Sequence, residues 1–262
     1  MSTRWRILRD GPGSAAHNMA VDEALLRHVA HSGPTLRLYT WRRPSVSLGY
    51  RQPAPAWIER ARDEGLEVVR RVTGGGAVLH SGDLTYAVVA PLGVPEIPND
   101  LPGSYAWIQA ALVAALADLG LAARPARGRN GADRLAVCFA GATGYEIELA
   151  GRKLVGSAQR RTSWGFLQHG SIRLRDDSAL YAKLLLPEPP PAIDLPALAP
   201  GTVMDALERT FADKLDSALV SAPLSEAEQH LARTRASLRA SDALARLPLA
   251  SSGPPIYADS SF

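Results

Sequence analysis

The sequence contains one cysteine, Cys138, and a lysine shortly after it, Lys153, that together could carry out acyl transfer. A cysteine thiolate can attack a thioester, and a nearby ammonium group lowers the pKa of the thiol and so favours the thiolate. The lysine could then help to protonate the leaving thiol. Taken alone, Cys138 in its apolar surroundings has the simpler interpretation of a small buried side chain. Lys153 alone has the simpler interpretation of an exposed hairpin residue.

A run of three glycines, Gly74 to Gly76, is the most distinctive feature of the chain. It lies between Arg70-Arg71 and His80, and a strand-like apolar alternation begins at Leu84. Glycines remove every Cβ from the run, so the backbone can turn sharply and lie flat against a ligand. The pattern predicts one wall of a binding site, where backbone N–H groups could hold an oxyanion. A tight hairpin turn is the alternative.

Small residues and two histidines give further candidate positions. Gly156 and Ser157 continue the strand expected after Lys153, and small residues in a strand let a ligand or another backbone approach closely. His80 closes the glycine run, and His169 is expected to open a later strand. A structural role is the alternative for each histidine. The other histidines, expected at the surface, are His17, His28, His31 and His230.

Length and composition limit the class of protein. A chain of 262 residues suits one large domain, or one domain with a small appendage. Hydrophobic residues make up 46%, as in globular proteins. No apolar run is long enough for a membrane span, and the N-terminus does not have the pattern of a secretory signal. We therefore expect a cytoplasmic protein that does not bind membranes.

Charge and cysteine content limit the ligands. The formal net charge of +3 is too small to indicate nucleic-acid binding. A single cysteine excludes an intramolecular disulfide and a cysteine-based metal site, so we expect no metal. Arginines gather between Arg124 and Arg134. They could steer an acidic protein partner, and a solvated loop is the alternative.

Periodicity and turn residues place helices and strands in an irregular order. The expected helices cover residues 18–26, 57–64, 105–119, 203–219 and 225–238, and the expected strands cover 35–40, 45–50, 67–71, 84–89, 138–139, 145–149, 153–158 and 170–174. In the first helix we expect the acids Asp22 and Glu23 opposite the apolar side. Hairpins outnumber β-α-β units, so the expected fold class is α+β, with a mixed, largely antiparallel sheet flanked by helices.

Several ordered motifs resemble the biotin/lipoate protein ligase and octanoyltransferase superfamily, over about residues 5–186. They are Arg70-Arg71-x-Thr73-Gly74-Gly75-Gly76-Ala77-Val78-x-His80, Gly151-Arg152-Lys153-x-x-Gly156-Ser157-Ala158-Gln159-Arg160-Arg161, Gln168-His169-Gly170-Ser171-Ile172, Asn18-Met19-Ala20-x-Asp22-Glu23-Ala24-Leu25, and Arg37-x-Tyr39-x-Trp41-x-x-Pro44-x-Val46-Ser47-x-Gly49-Tyr50-x-Gln52. The resemblance implies a lipoate ligase-like catalytic domain, which we expect over residues 1–222. A helical extension over 223–249 and a disordered tail over 250–262 would follow.

The resemblance also implies residue roles. Cys138 would accept the acyl group, and Lys153 would contact the acyl carbonyl and favour the thiolate. The acyl pocket would be lined by Arg71, Thr73, Gly74, Gly75, Gly76, Ala77 and Val78, with His80 at its end. The opposing wall would be formed by Gly156, Ser157 and Ala158, supported by His169.

The superfamily contains several chemistries. In the cysteine-dependent branch, an octanoyl group passes from acyl carrier protein, without ATP, to a lysine of a lipoyl carrier domain such as the glycine cleavage H protein or a dehydrogenase E2 domain. The spacing of Cys138 and Lys153, the placing of Cys138 before Tyr145-Glu146, and the segment from His80 to Tyr86 favour this branch. The chain also lacks room for the second domain of large ligases.

Three alternatives stay open. An ATP-dependent lipoate ligase would use ATP and Mg²⁺ to form lipoyl-adenylate, and the same arginine, glycine and lysine positions would hold the adenylate. A lipoyl amidotransferase would move acyl groups between carrier domains. A non-enzymatic member would only bind lipoyl domains. The C-terminal segment from Leu238 to Leu244 lacks the tryptophan of the family's closing motif, which leaves its part in partner docking open.

Overall fold

The computed structural model describes residues 3–126, 145–184 and 190–244. Its strands are β1 (Arg6–Gly13), β2 (Thr35–Trp41), β3 (Ser45–Leu48), β4 (Glu67–Arg70), β5 (Val78–His80), β6 (Leu84–Pro91), β7 (Arg124–Pro125), β8 (Ile147–Leu149), β9 (Arg152–Arg161), β10 (Gly165–Ile172) and β11 (Val220–Ser221). Its helices are α1 (Ala15–Ser32), α2 (Ile58–Asp63), α3 (Leu101–Asp118), α4 (Ser178–Lys183), α5 (Pro200–Leu215) and α6 (Glu226–Leu244). The strand expected at 138–139 and the tail expected from residue 250 lie outside the described residues.

The strands form two sheets. The larger has eight strands in the order β11-β1-β2-β6-β10-β9-β8-β7, and the smaller has the order β4-β3-β5. β1 runs parallel to its two neighbours, β11 and β2. All the other neighbouring pairs in this sheet are antiparallel. Ala150 and Gly151, with φ of 49° and 74°, form the predicted hairpin turn between β8 and β9. The α+β class with a mixed, largely antiparallel sheet is confirmed.

Helices cover both faces of the large sheet. Because successive strand residues face opposite sides, Leu84, Tyr86 and Val88 of β6 pack in the cluster that includes α3 and α5, while Ala87 and Val89 pack with α1. α6 lies against α1 on its outer side. The small sheet forms a third cluster with α2 and α4. The two sheets therefore lie beside each other, with α1 next to both.

Strand β10 begins earlier than the sequence pattern indicates. It starts at Gly165, so His169 lies inside the strand and the expectation that it opens the strand is wrong. Gln168 and His169 are 1% and 5% exposed. Two adjacent buried polar residues, one on each face of the sheet, interrupt the apolar pattern that marks a strand. The sequence pattern therefore placed the start of this strand too late.

Helix boundaries also differ from the sequence-based ones, and two of these differences have a clear local cause. α3 begins at Leu101, because the side chain of Asp100 caps it by accepting a hydrogen bond from Gly103 N at 2.7 Å. α5 ends at Leu215 rather than at residue 219, because Asp216 takes up a left-handed conformation with φ of 47°.

The acids of α1 are buried, contrary to the expectation that they lie on an exposed side. Asp22 and Glu23 are 0% and 2% exposed. The sheet covers one side of α1 and α6 covers another, so this stretch has no exposed polar face. The pattern of a single helix indicates which side is apolar, but it does not show that another helix covers a different side.

Glu23 binds three arginines, of which Arg235 and Arg239 belong to α6 and so attach that helix to α1. Its carboxylate accepts from Arg27 Nε at 2.9 Å and from Arg239 Nη2 at 2.7 Å, and it lies 3.3 Å from Arg235 Nε. Burial raises the pKa of Glu23, but the charges of Arg239, Arg235 and Arg27 outweigh burial and lower it below its ordinary value. At the start of α6, Ser225 and Glu228 form the predicted capping box.

Removing the charge of Glu23 should loosen the attachment of α6. Glu23→Gln leaves the three guanidinium groups facing one another, and we expect the free energy of unfolding to fall by about 2 kcal/mol in denaturant titrations. Glu59→Gln, which alters an exposed pair with Arg62, is the control and should cost less than about 1 kcal/mol. Equal losses in the two variants would contradict this role of Glu23.

Candidate functional site

A cleft opens between the two sheets. Residues of β9 and β10 face residues of β3 and β5 across it, and α1 and β2 contribute side chains. The cleft and its mouth enclose about 340 Å³. It is lined by Met19, Tyr39, Trp41, Ser47, Arg71, Val78, His80, Thr85, Gly156, Ser157, Ala158, His169, Gly170 and Ser171. Aromatic and aliphatic walls with a few hydroxyl and imidazole groups suit a small, mostly apolar ligand that has a polar end.

Arg71 holds the glycine run in place. Its Nη2 donates to the carbonyl oxygens of Gly74 at 2.6 Å and Gly76 at 2.7 Å, and its Nη1 donates to the carbonyl oxygen of Ser47 at 2.8 Å. The residue is only 4% exposed. A buried guanidinium requires acceptors, and the backbone of the run supplies them. Arg71 therefore lines the cleft as predicted, and it also stabilises the loop beside it.

The need for glycine differs along this run. A Cβ at Gly49 would lie 2.0 Å from the carbonyl oxygen of Gly75, so two backbones approach closely at this point. Gly75 itself has φ of +90°, which L side chains rarely adopt. A Cβ at Gly74 would meet nothing within 4 Å. Close packing of two backbones explains Gly49 and the backbone conformation explains Gly75, whereas neither constraint applies to Gly74.

His169 connects the glycine run to α1. Its Nδ1 lies 2.7 Å from Asp22 Oδ2, and its Nε2 lies 2.6 Å from Thr73 Oγ1. Burial lowers the pKa of His169 against the opposing effect of Asp22, so the imidazole is neutral at neutral pH. Since Nδ1–H donates to the carboxylate, Nε2 accepts the proton of Thr73. His169 thereby fixes Thr73 at the start of the run.

Asp22 is ionised although it is fully buried. Burial raises its pKa, but the hydrogen bond from His169 and the charge of Arg37 outweigh burial and lower it. Arg37 Nη1 donates to Oδ1 at 2.7 Å, and the hydroxyl of Tyr39 donates to Oδ2 at 2.8 Å. One carboxylate thus joins α1, β2 and β10 beneath the cleft.

His80 has a parallel set of contacts. Its Nδ1 lies 2.8 Å from Asp83 Oδ2, its Nε2 lies 2.9 Å from Ser47 Oγ, and its ring stacks on Trp41 at 3.7 Å between centroids. This is the connectivity of a Ser-His-Asp triad, and Ser47 lines the cleft. Arg71 Nη1 lies 3.3 Å from Ser47 Oγ and helps to hold it in the wall. Ser47 therefore has the contacts that the serine of such a triad would have.

Lys153 is buried and forms an ion pair with Glu146, with side chains that are 3% and 7% exposed. The exposed-hairpin interpretation of Lys153 is therefore wrong. The backbone carbonyl of Glu146 accepts from Ala126 N at 2.8 Å and from Gln109 Nε2 at 2.9 Å. Lys153 is not among the lining residues of the cleft. Because Cys138 lies outside the described residues, its approach to Lys153 stays a prediction.

The cleft brings together part of the predicted set. The predicted residues that line it are Arg71, Val78, His80, Gly156, Ser157, Ala158 and His169. Among the others, Thr73 is buried and bonded to His169, Ala77 packs in the cluster of the small sheet, and the glycines carry the contacts with Arg71 described above. Gly74, Gly75 and Gly76 are not among the lining residues, whereas Arg71 and Val78, which flank the run, are.

Some lining residues did not emerge from sequence reasoning as site residues. They are Met19, Tyr39, Trp41, Ser47, Thr85, Gly170 and Ser171. Alternation along the strands contained a usable signal, because positions two apart share a face. Ser171 lies two positions after His169, and Trp41 lies two positions after Tyr39. The carboxylates of Asp22 and Asp83 gave no such signal, since their partners lie on other elements.

The described residues form neither a metal site nor a membrane-spanning helix. Within residues 3–126, 145–184 and 190–244, no group of three or more His, Cys, Asp or Glu side chains is placed to hold a metal ion. In the same part of the chain, none of the helices combines the length and apolar character needed to cross a bilayer.

The lowered pKa of His169 predicts a specific pH dependence. As the pH falls, the unfolded chain binds this proton first, so the contribution of His169 to stability is complete above about pH 6.5 and decreases as the pH falls towards the folded pKa. His169→Gln should therefore lose less unfolding free energy than the wild type between about pH 7 and 5, measured by urea titration. His230→Gln, at an exposed position, should keep the wild-type dependence. An unchanged dependence in His169→Gln would contradict the assignment.

Solved structures share this architecture. The chain aligns with Ta0514 of T. acidophilum, a candidate lipoate protein ligase with bound lipoic acid, at a TM-score of 0.74 and 28% identity, covering 89% of this chain and 94% of that one. It also aligns with a bi-partite lipoate protein ligase from Thermoplasma acidophilum, studied with its E2 lipoyl domain, at a TM-score of 0.69 and 25% identity, covering 90% and 92%. These similarities confirm the ligase-like catalytic-domain fold.

Sequence comparison gives the family directly. The chain is 43% identical over 236 residues to the octanoyltransferase LipM of Kyrpidia tusciae, covering 84% of this chain and 81% of that protein. The model of the lipoyl protein ligase A/B catalytic domain matches residues 14–207, which include the glycine run, the strand of Lys153 and the cleft. The chain belongs to the lipoyl protein ligase A/B catalytic domain family.

Proposed function

We propose that this protein is an octanoyltransferase of protein lipoylation, which moves an octanoyl group from acyl carrier protein to a lysine of a lipoyl carrier domain through a thioester on Cys138. The observation that carries the proposal is an apolar cleft, bordered by the Arg71-held glycine run, in a chain 43% identical to an octanoyltransferase. An alkyl chain suits the apolar walls of this cleft. The reaction is expected in the cytoplasm.

The position of Lys153 supports a role for Cys138. In the sequence, Cys138 lies between Ala126 and Tyr145. Ala126 N is bonded to the carbonyl oxygen of Glu146, whose carboxylate pairs with Lys153. The residues on either side of the stretch that contains Cys138 are thus joined to each other and to the lysine that would assist the thiol.

The reaction needs two exchanges at one carbonyl carbon. The Cys138 thiolate adds to the thioester of the donor, a new C–S bond forms, and the donor thiol leaves with a proton from the Lys153 ammonium group. The neutral amine of the carrier lysine then attacks the enzyme thioester, which forms an amide, frees Cys138 and releases a proton. Both steps start from a thioester, so no ATP and no other cofactor is required.

An ATP-dependent ligase is the second candidate, favoured by the 28% identity to a candidate ligase with bound lipoic acid. The donor distinguishes the two functions. Purified protein and apo lipoyl domain should give octanoylated domain from octanoyl-acyl carrier protein without ATP. Modification only from free acid with ATP and Mg²⁺ would reverse the proposal, and efficient use of octanoylated carrier domain as donor would indicate an amidotransferase.

Cys138→Ala should abolish the covalent intermediate. Incubation with octanoyl-acyl carrier protein should add one octanoyl mass to the wild type and none to Cys138→Ala, because the variant lacks the only thiol of the chain. Intact-mass spectrometry followed by peptide mapping checks the result. Full turnover by Cys138→Ala would refute the nucleophile assignment, and an adduct mapped to Ser47 would transfer the role to the serine bonded to His80.

The same thiol reports on Lys153. If the ammonium group favours the thiolate, Lys153→Met should move the pH midpoint of iodoacetamide alkylation at Cys138 upward by about one pH unit. The chain has a single cysteine, so total alkylation measures this position alone. Lys183→Met, at a position whose side chain is 68% exposed, should keep the wild-type midpoint. Identical midpoints in all three proteins would show that Lys153 does not influence the thiol of Cys138.

A further inference from the structure

Two arginine side chains from different sheets converge on one tyrosine ring. The guanidinium carbon of Arg160 lies 4.7 Å from the centroid of the Tyr50 ring, and that of Arg51 lies 6.0 Å from it. Arg160 belongs to β9 of the large sheet, whereas Tyr50 and Arg51 follow β3 of the small sheet. The aromatic ring attracts both cations and so holds two positive charges near each other. We call these three residues the Tyr50 cluster.

The Tyr50 cluster lies beside the glycine run and close to the cleft. Arg160 Nη1 donates to the carbonyl oxygen of Val72 at 3.3 Å, and Tyr50 N donates to the carbonyl oxygen of Thr73 at 2.8 Å. Ala158, which lines the cleft, lies two positions before Arg160, so the two side chains project from the same face of β9. The cluster therefore lies on the side of the cleft where the glycine run meets β9.

Arg70 holds the turn that carries Tyr50 and Arg51. Its Nη1 donates to the carbonyl oxygens of Gly49 at 2.5 Å and Gln52 at 2.7 Å. The turn is closed by two further bonds, since Gly49 N donates to Gln52 Oε1 and Gln52 N donates to the carbonyl oxygen of Gly49, both at 3.1 Å. The backbone of the Tyr50 cluster is therefore in place before any ligand arrives.

The charges of the Tyr50 cluster are not balanced by acids of the described residues. Within residues 3–126, 145–184 and 190–244, neither Arg51 nor Arg160 forms a salt bridge. Arg51 is exposed and Arg160 is half-buried, so a ligand can reach both. Like charges held near each other repel, and an anion bound between them removes the repulsion. The cluster therefore has the charge of an anion site.

A phosphate group is the anion that suits the Tyr50 cluster best. Guanidinium groups donate paired hydrogen bonds to phosphate oxygens, and arginine is the usual residue for this contact. The acyl carrier protein of the proposed reaction holds its thioester on a phosphopantetheine arm, which is joined to the protein through an anionic phosphodiester. The acceptor lysine of a lipoyl domain has no anionic group, and its ammonium form would be repelled by the two arginines. The chemistry of the cluster thus favours the donor over the acceptor.

We propose that Arg51 and Arg160 bind the phosphodiester of the donor's phosphopantetheine arm. This inference rests on the proposed function, because it requires a donor that carries such an arm. The phosphodiester and the thioester are at opposite ends of the arm, so binding at the Tyr50 cluster leaves the thioester free to reach Cys138. Arg160 and Lys153 lie on the same strand, β9, and the arm extends along this strand from the cluster towards the lysine.

Steady-state transfer from three octanoyl donors to a lipoyl domain tests the proposal. Octanoyl-pantetheine has no phosphate, octanoyl-phosphopantetheine adds the phosphate, and octanoyl-acyl carrier protein adds the protein. Arg51→Gln and Arg160→Gln should each raise KM about tenfold for the two donors that contain phosphate, because each variant loses a charge-assisted contact. KM for octanoyl-pantetheine, KM for the lipoyl domain and kcat should stay close to the wild-type values.

Arg43→Gln is the matched control. Arg43 is also exposed, and its replacement removes the same charge, but it precedes β3 whereas the Tyr50 cluster follows that strand. All three donor KM values should match the wild type, which excludes an effect of net charge alone. If Arg160→Gln does not fold because its bond to Val72 is lost, Arg51→Gln still decides the question, since Arg51 is exposed at the surface.

The outcomes separate this inference from the proposed function. A wild-type KM for octanoyl-phosphopantetheine in Arg51→Gln would overturn the inference alone. So would an equal rise for octanoyl-pantetheine, a rise confined to the protein donor, or a rise in KM for the lipoyl domain, because the arginines would then not bind the phosphate of the donor. If only the protein donor is used, competitive inhibition by free phosphopantetheine, weakened about tenfold in Arg51→Gln, gives the same decision. A wild-type protein that uses none of the donors would overturn both.

Discussion

The buried carboxylate of Asp22 is the interaction on which the cleft depends. It is fully buried and accepts hydrogen bonds from Arg37, Tyr39 and His169, which come from two strands of the large sheet. A carboxylate in this environment is stable only when such partners are present. The charge of Asp22 therefore determines the tautomer of His169, and His169 determines where Thr73 and the glycine run begin.

Hydrogen-bonded side chains hold the strands of the cleft from both faces of the large sheet. On the α1 side, two buried Asp–His pairs hold the walls of the cleft. On the α3 side, a chain of hydrogen bonds runs from Arg161 through Gln159, Gln168 and Tyr86 to Ser157. A displaced buried polar group would lose its partner away from water, so both arrangements keep these strands in place.

The sequence was sufficient for the fold class and for half of the residues that line the cleft. Glycine, small residues and histidines at ordered positions led to Arg71, Val78, His80, Ser157 and His169, because these motifs need specific residue types. It failed where a partner lies on a distant element. Asp22 and Glu23 appear in the sequence as polar residues of an amphipathic helix, and only the cover provided by β2, β10 and α6 makes them interior charges.

The polar pair at the centre of β10 shows the same limit. Gln168 and His169 face opposite sides of the sheet, and each belongs to a different hydrogen-bonded chain. In the sequence, two adjacent polar residues suggest the end of a loop, because the sequence pattern does not show whether polar side chains are buried or exposed. Pairing with β6 and β9 places both residues inside the strand. The residues of β6 that form these pairs lie far away along the chain.

The central claim is that the cleft between the two sheets holds the acyl group during transfer. A crystal structure of the protein acylated with octanoate tests it most directly. The account predicts the alkyl chain between Val78 and Ala158, with its carbonyl carbon joined to the sulfur of Cys138. An acyl chain bound elsewhere, with the cleft filled by water, would contradict it.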